Sequence, residues 1–155
     1  MLVRIKNKLF CEIYRFLHPY LWGKKLQING IPEIVSMKKL NIGENVSINK
    51  RCYLQCGGGV TLGDNVTLSY GTVILTQGLD TCDYISNSKN KYRIHKSGDV
   101  HIGNGTWICA NVTICPGAKV ANNCIVAAGS VVAGNLVENN CLYGGCPAKK
   151  IKRLD

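Results

Sequence analysis

Bulky aromatic side chains are scarce in this chain of 155 residues: it has two Phe and two Trp beside seventeen Gly. That shortage argues against an aromatic core and a helical bundle, and favours narrow, turn-rich packing. Long apolar runs are missing too. None approaches the roughly 20 residues of a membrane span, and the N-terminus lacks the apolar stretch and cleavage site of a signal peptide, so a cytoplasmic location is expected. No CxxC pair occurs among the nine Cys. An odd number in scattered positions fits a reducing compartment better than a disulfide framework, and most of these thiols read as small core hydrophobes. Acidic residues are few, nine against nineteen Lys and Arg, for a formal charge of +10. Such a balance suits a polyanionic partner, whether nucleic acid, a membrane surface or a phosphorylated cofactor. The bases are not interleaved with aromatics in any recognition motif, so no nucleic-acid partner is expected.

What is present begins with residues 2–21, LVRIKNKLFCEIYRFLHPYL. Leu2, Ile5, Leu9, Ile13, Phe16 and Leu17 recur at spacings of three and four, with Arg4, Lys6, Lys8 and Arg15 off that stripe. The spacing predicts an amphipathic helix ending near His18-Pro19. It is expected to pack on its own protein as a cap, with peripheral membrane contact as the alternative. His18, beside proline at the helix end, reads as structural.

From residue 28 onward the chain repeats, with a period that is neither helical nor that of an ordinary strand. Ile102, Ile108, Ile114, Val120, Val126 and Val132 stand six apart. Two residues before these aliphatics, and before Ile48, Leu62, Leu68 and Ile74, sit small or β-branched residues such as Val46, Val60, Val66, Thr72, Val100, Thr106, Val112, Ala118, Cys124 and Ser130. A short strand followed by a tight turn, repeated every six residues, accounts for both series. Positions two apart share a face, Gly, Asn and Asp accept the turn conformations, and three strands close one triangular coil. One large and one small side chain per strand then fill a narrow prism. Each coil covers its neighbour, so the ends need caps.

Two breaks interrupt the repeat. Gly57-Gly58-Gly59 adds two residues and reads as a turn insertion; with no GK[ST] after it, it is not a phosphate loop. Residues 77–99 form a long polar excursion holding Tyr84, Tyr92 and His95, and excursions from a rigid scaffold are commonly functional.

The motifs of residues 40–154 resemble the hexapeptide-repeat acyltransferases, and among them the maltose, nodulation-factor and capsular-polysaccharide O-acetyltransferases. The resemblance is carried by Ile102-Gly103-Asn104-Gly105-Thr106-Trp107-Ile108, by Val112-Thr113-Ile114-Cys115-Pro116-Gly117, by Ala127-Ala128-Gly129-Ser130-Val131-Val132, and by Tyr143-Gly144-Gly145-Cys146-Pro147-Ala148-Lys149. It implies an all-β fold, a left-handed parallel β-helix, here with an N-terminal amphipathic helix and a long inserted loop. The implied divisions are 1–22 for the helix, 28–142 for the β-helix with the loop 77–99, and 143–155 for a basic tail. It further implies a homotrimer with acetyl-CoA between subunits, and a histidine that deprotonates an acceptor hydroxyl so that it attacks the thioester. By position, Ala110 and Ala128 match slots along the pantetheine arm, Lys149 and Lys152 match bases near the CoA phosphates, and Trp107 matches the tryptophan beside the acyl and acceptor site; Tyr84 is a further candidate for the acceptor. Ala133-Gly134 stands where relatives have Thr-Lys.

The base departs from the family. Relatives carry histidine five residues after an inward aliphatic, and here Ile74 is followed by Leu75-Thr76-Gln77-Gly78-Leu79. Either another histidine has taken over or the activity is lost. His95, after arginine and just ahead of the coil restart, is the first candidate, and His101, an outward residue between inward Val100 and Ile102, is the second. Asp80 or Asp83 could orient the imidazole. Cys109 and Cys115, as acyl-enzyme nucleophiles, are the rival, although both fill slots where relatives have small residues. A γ-type carbonic anhydrase needs three clustered histidines, which this chain does not supply, so no metal is expected. The expected activity is transfer of acetyl from acetyl-CoA to a sugar hydroxyl in surface glycan assembly. The alternatives are a small acceptor such as serine, or a non-catalytic trimeric scaffold or CoA-binding protein.

Overall fold

The computed structural model describes residues 2–19, 25–82, 84–85 and 93–155, without the side chains of residues 2–7. Beyond the first helix it is a stack of about five triangular coils. The first face carries β1 (Gln27–Asn29), β4 (Ser47–Asn49), β7 (Thr67–Leu68), β12 (Trp107–Ile108), β15 (Ile125–Val126) and β17 (Cys141–Gly145), all parallel, with β18 (Ala148–Arg153) folded back antiparallel on β17. The second face carries β2 (Glu33–Val35), β5 (Tyr53–Gln55), β8 (Val73–Ile74), β13 (Thr113–Ile114) and β16 (Val131–Val132). The third carries β3 (Leu40–Ile42), β6 (Val60–Leu62), β11 (Val100–Ile102) and β14 (Lys119–Val120), extended by a bridge from Val120 to Leu136. This is the left-handed β-helix of the hexapeptide repeat.

Register follows the repeat. Ile108 pairs with Val126 one coil on, and Ile102 with Val120, so three six-residue units return the chain to the same face. The two residues added by Gly57-Gly58-Gly59 are absorbed at the edge between the second and third faces, where the excursion also departs and returns, and Leu54 still pairs with Ile74 and Val60 with Val100. Alternation within each strand sends both slots inward: Ile48, Leu68, Ile74, Ile108, Ile114 and Val126 are wholly buried, and so are their small partners Val46, Val66, Val112 and Cys124. Removing each aliphatic side chain from water contributes roughly 1.5–3 kcal/mol.

The polar members of the small slot find partners inside the wall. Thr72 Oγ1 donates to Ser69 O at 2.8 Å, Thr106 Oγ1 to Ala121 O at 2.8 Å, and Ser130 Oγ accepts from Gly145 N–H at 3.1 Å. Among the described residues no buried side-chain nitrogen or oxygen lacks a partner, as stability requires.

The edge between the third and first faces shows why Asn recurs. Asn45, Asn65, Gly105, Asn123 and Asn140 all have φ between 55° and 67°, the left-handed region that Gly and Asn enter at least cost. The residue before each turn links coil to coil: Asp64 N–H donates to Asn104 Oδ1 at 2.9 Å, Asn104 N–H to Asn122 Oδ1 at 2.8 Å, and Asn122 N–H to Asn139 Oδ1 at 2.9 Å.

The helix α1 (Leu2–Leu17) lies against β1 at the N-terminal end of the stack. It covers the first coil as expected of a cap, but not with the stripe read from its sequence. Cys11 is buried and Tyr14 packs on the core, with the His18 ring 4.4 Å from that of Tyr14. Leu9, Ile13, Phe16 and Leu17 are exposed. No helix among the described residues is long and apolar enough to cross a membrane.

Candidate functional site

Two edges and two faces of the prism hold the residues singled out by sequence. At the edge between the first and second faces, the left-handed turns at Asn111 and Gly129 stack, and Gly129 N–H donates to Ala110 O at 2.9 Å. Ala110 and Ala128 therefore occupy successive coils of one edge, each with a short side chain. One coil further on, a Cβ at Gly144 would sit 3.2 Å from Ala127 Cβ, and Gly144 is the Cα partner of Lys149. Lys149, on the first face, is thus paired with a residue that packs beside this edge. Lys150 is held differently, its Nζ donating to Glu138 Oε2 at 2.5 Å, a contact that raises its pKa and pins the returning strand.

Trp107 stands on the adjoining first face, half exposed, with its indole N–H donating to Ser69 Oγ at 2.7 Å. Its Cα partner is Ile125, which pairs with Leu142, which pairs with Lys152. Trp107 and Lys152 therefore share one row across the face, with two strands between them. Both residues were singled out from the sequence; Ser69, which holds the indole ring, was not.

The excursion leaves the prism at the edge between the second and third faces as a ribbon. β9 (Gln77–Leu79) and β10 (His95–Ser97) pair antiparallel, with Gln77 opposite Ser97, Gly78 opposite Lys96, and Leu79 opposite His95. Residues directly opposite in an antiparallel pair project on the same side, so the imidazole of His95 shares a side of the ribbon with Leu79. The ribbon sits tightly on the coil: a Cβ at Gly98 would fall 2.6 Å from Gly117 N. A cleft of about 360 Å³ opens there, lined by Gly78, Leu79, Lys96, Ser97, Pro116 and Gly117.

Beyond the ribbon, Asp80 accepts the N–H of Cys82 at 3.0 Å, a bond that lowers its pKa. Its described partner is thus its own turn. Tyr84 is exposed, with the Arg93 guanidinium 4.7 Å from its ring centroid, a stacking that holds the phenol beside Leu79, Asp80 and Ile94. Asp83 and Tyr92 lie outside the described residues.

His101 lies on the third face, between Thr61 and Lys119 in register. Its Nε2 is 2.5 Å from Asp99 Oδ2. That hydrogen bond holds the Asp99 carboxyl below its ordinary pKa. The orienting carboxylate of this imidazole is Asp99, where sequence reasoning considered Asp80 and Asp83 for either histidine. The signal was legible: Asp99 and His101 flank inward Val100, and positions two apart in a strand share a face. Burial raises the thiols of Cys109 and Cys115, which favours the protonated form over the thiolate an acyl-enzyme would need. Among the described residues no group of three His, Cys, Asp or Glu could hold a metal ion.

In one chain, then, the edge of Ala110 and Ala128 adjoins Trp107 and the C-terminal lysines, while His95, Tyr84 and the cleft occupy a different edge and His101 a third site. Against known proteins, the family model described as bacterial transferase hexapeptide (six repeats) matches residues 99–134. A Saccharomyces cerevisiae protein provisionally named an acetyltransferase is 32% identical over 168 residues, covering 98% of this chain and 82% of its own. An Escherichia coli protein, provisionally named a lipopolysaccharide biosynthesis O-acetyl transferase, is 34% identical over 118 residues, 72% of this chain and 59% of its own. Staphylococcus aureus proteins, provisionally named acetyltransferases, are 30% identical over 117 residues; the chain spans 56% of their length, and 75% of it is matched. Among solved structures, a hexapeptide-repeat-containing acetyltransferase of Vibrio cholerae complexed with acetyl-CoA superposes with a TM-score of 0.71 at 26% identity, over 85% of this chain and 72% of that one. A maltose O-acetyltransferase from Clostridium difficile, 23% identical, shares the fold with a TM-score of 0.77 over 99% of this chain and 89% of its own. The chain belongs to the hexapeptide-repeat transferase family.

Proposed function

We propose that the protein is an acetyl-CoA-dependent O-acetyltransferase acting on a sugar hydroxyl, with His95 as general base and a homotrimer as the working unit. The observation that carries this reading is the pairing of His95 with Leu79. Leu79 stands where relatives keep their histidine, and the ribbon delivers an imidazole to the same side from the neighbouring strand. That imidazole, in its neutral form, takes the proton of the acceptor hydroxyl as its oxygen attacks the thioester carbonyl. The C–S bond then breaks, and the imidazolium returns the proton to the departing CoA thiolate.

The remaining residues divide the other tasks. Ala110 and Ala128 leave room for the pantetheine arm, exposed Lys149 and Lys152 face the CoA phosphates, and Trp107 and Tyr84 offer flat surfaces to the acyl group and the sugar. A homotrimer is supported by the separation of these groups: the carrier edge and the ribbon edge are different edges of the prism, so a carrier on one chain meets His95 only from a neighbouring copy. The nine cysteines are all free thiols, which suits a cytoplasmic setting. The E. coli relative's name points to surface glycan as the acceptor class.

The test is release of free CoA from acetyl-CoA over a panel of sugars and serine. His95→Ala is expected to lower kcat by about 10²–10⁴, His101→Ala by far less, and adding Leu79→His to His95→Ala to restore part of the loss. Full turnover in His95→Ala refutes the assignment of the base. A second reading, favoured by Leu79 itself, is a protein that binds CoA without turning it over; calorimetric CoA binding with no release on any acceptor would establish it.

A further inference from the structure

One turn of the prism departs from the rule its neighbours keep. At the edge between the first and second faces, Gly71 N–H donates to Lys50 O at 3.2 Å, Asn111 N–H to Tyr70 O at 2.9 Å, and Gly129 N–H to Ala110 O at 2.9 Å. Lys50, Tyr70, Ala110 and Ala128 therefore hold one position of this edge in successive coils, and Arg51, Gly71, Asn111 and Gly129 hold the next. That second position is left-handed throughout, with φ of 60°, 70°, 56° and 71°. Gly and Asn enter this region at least cost. Arg51 lacks that freedom, and it is the one long side chain among the described non-glycine residues with positive φ. A costly conformation that the fold retains points to a task for the side chain.

The guanidinium has a fixed place. It lies 5.6 Å from the Tyr70 ring centroid, a stacking that steadies the planar fork while both residues stay exposed. The backbone beneath is pinned: Asn49 Nδ2 donates to Leu68 O at 2.9 Å, and Thr72 Oγ1 to Ser69 O at 2.8 Å. Ser69, next to Tyr70, accepts the indole N–H of Trp107, so Trp107, Tyr70 and Arg51 are tied together over three coils. Among the described residues neither Lys50 nor Arg51 forms an ion pair.

Place along the edge selects the ligand. With the CoA phosphates by Lys149 and Lys152, the pantetheine arm passes Ala128 and then Ala110. Coils stack about 4.8 Å apart, so the next coil presents Tyr70 and the one after it Arg51, at the end of the arm away from those phosphates. A flat ring beside a fork that binds carboxylate or phosphate through two oxygens at once suits a sugar with an anionic group.

We propose that Arg51, steadied by Tyr70 and reinforced by Lys50, makes the protein select an acidic sugar as acceptor, gripping its carboxylate or phosphate. This rests on the O-acetyltransferase reading, and the experiment scores the two separately. CoA release is measured with glucose, glucuronic acid and glucose 1-phosphate, the last two separating carboxylate from phosphate. The wild type is expected to favour an acidic sugar over glucose by at least about tenfold in kcat/KM, chiefly through KM, with the advantage shrinking as salt rises. Arg51→Asn puts into this turn the residue that fills it at Asn111, so its unfolding midpoint should hold or rise while the ratio of acidic to neutral turnover falls at least about tenfold. Tyr70→Ala, which releases the guanidinium, should lower that ratio about threefold. Equal use of acidic and neutral sugars by the wild type, or an unchanged ratio in Arg51→Asn, overturns the proposal. So does weaker calorimetric binding of CoA by Arg51→Asn, which would assign the guanidinium to the carrier. Absence of turnover on every sugar defeats the catalytic reading instead, and saturation-transfer NMR on the CoA-loaded protein then decides this one. Transfer to an acidic sugar from the wild type and not from Arg51→Asn upholds it; transfer from neither, or from both alike, overturns it.

Discussion

The coils and the helix of this molecule both carry strictly periodic aliphatic residues, and they treat them in opposite ways. In the coils, Ile102, Ile108, Ile114, Val120, Val126 and Val132 all point into the prism. In α1, Leu9, Ile13, Phe16 and Leu17 point out of it. The difference lies in what the backbone must satisfy. A coil strand bonds to strands above and below, which fixes its register and its side alternation together. An α-helix satisfies its own backbone internally and is free to rotate about its axis until some side meets the body, so periodicity names a stripe without naming what it faces.

Substitutions can break this comparison. The largest effect is expected for Ile108→Ala, a wholly buried side chain, at about 2–5 kcal/mol of unfolding free energy. Leu9→Ala in the helix, at a side chain 61% exposed, should move it by no more than about 0.5 kcal/mol. Denaturant unfolding at one fixed protein concentration measures both. Comparable losses would mean that the helix stripe is buried after all in the assembled protein.

A smaller effect separates two glycines of the coils. Gly105 has φ +67°, and a Cβ there would lie 2.4 Å from Asn123 Oδ1, while a Cβ at Gly134 meets nothing within 4 Å. Gly105→Ala is therefore expected to cost about 1–3 kcal/mol, and Gly134→Ala to stay within about 0.5 kcal/mol, read as shifts in the same unfolding curve. Equal costs would show that the stacked turns tolerate strain as loops do.

The smallest effect sharpens the contrast at the surface. Asp99 is depressed chiefly by its hydrogen bond to His101, so its contribution is complete above the ordinary carboxylate value of about 3.9. It is lost as the pH falls through the lower value of the folded protein. Carboxyl carbon NMR of Asp99 should titrate below its normal range in the wild type and move back up in His101→Ala. An unmoved titration would detach the carboxylate from the ring.

Much of the prism was legible from residues alone, because the wall of a β-helix obeys a local rule: an aliphatic, a turn residue that accepts positive φ, and a small residue, every six positions. Trp107 could be placed outward, and Ala110 and Ala128 on equivalent turns, by counting sixes. Asp99, the last residue of the excursion, was equally countable, two positions before His101 on the same outward face, whereas the expectation fell on Asp80 and Asp83. The pairing of Leu79 with His95 was not countable. Fifteen residues separate them, and nothing in a polar Ser/Asn/Lys-rich stretch states where its two ends will pair.

By itself, then, the sequence determined the repeat, the inward slots, the edges where turns fall and the family to which the chain belongs, since each rests on contacts between residues in fixed relation along the chain. Tertiary structure alone decided three things. It returned the excursion as a ribbon that sets the imidazole of His95 beside Leu79. It kept that ribbon on a different edge from Ala110 and Ala128. It turned the apolar stripe of α1 toward solvent. These are choices of orientation between elements, and a one-dimensional pattern holds no information on orientation until backbone hydrogen bonds and close packing fix it.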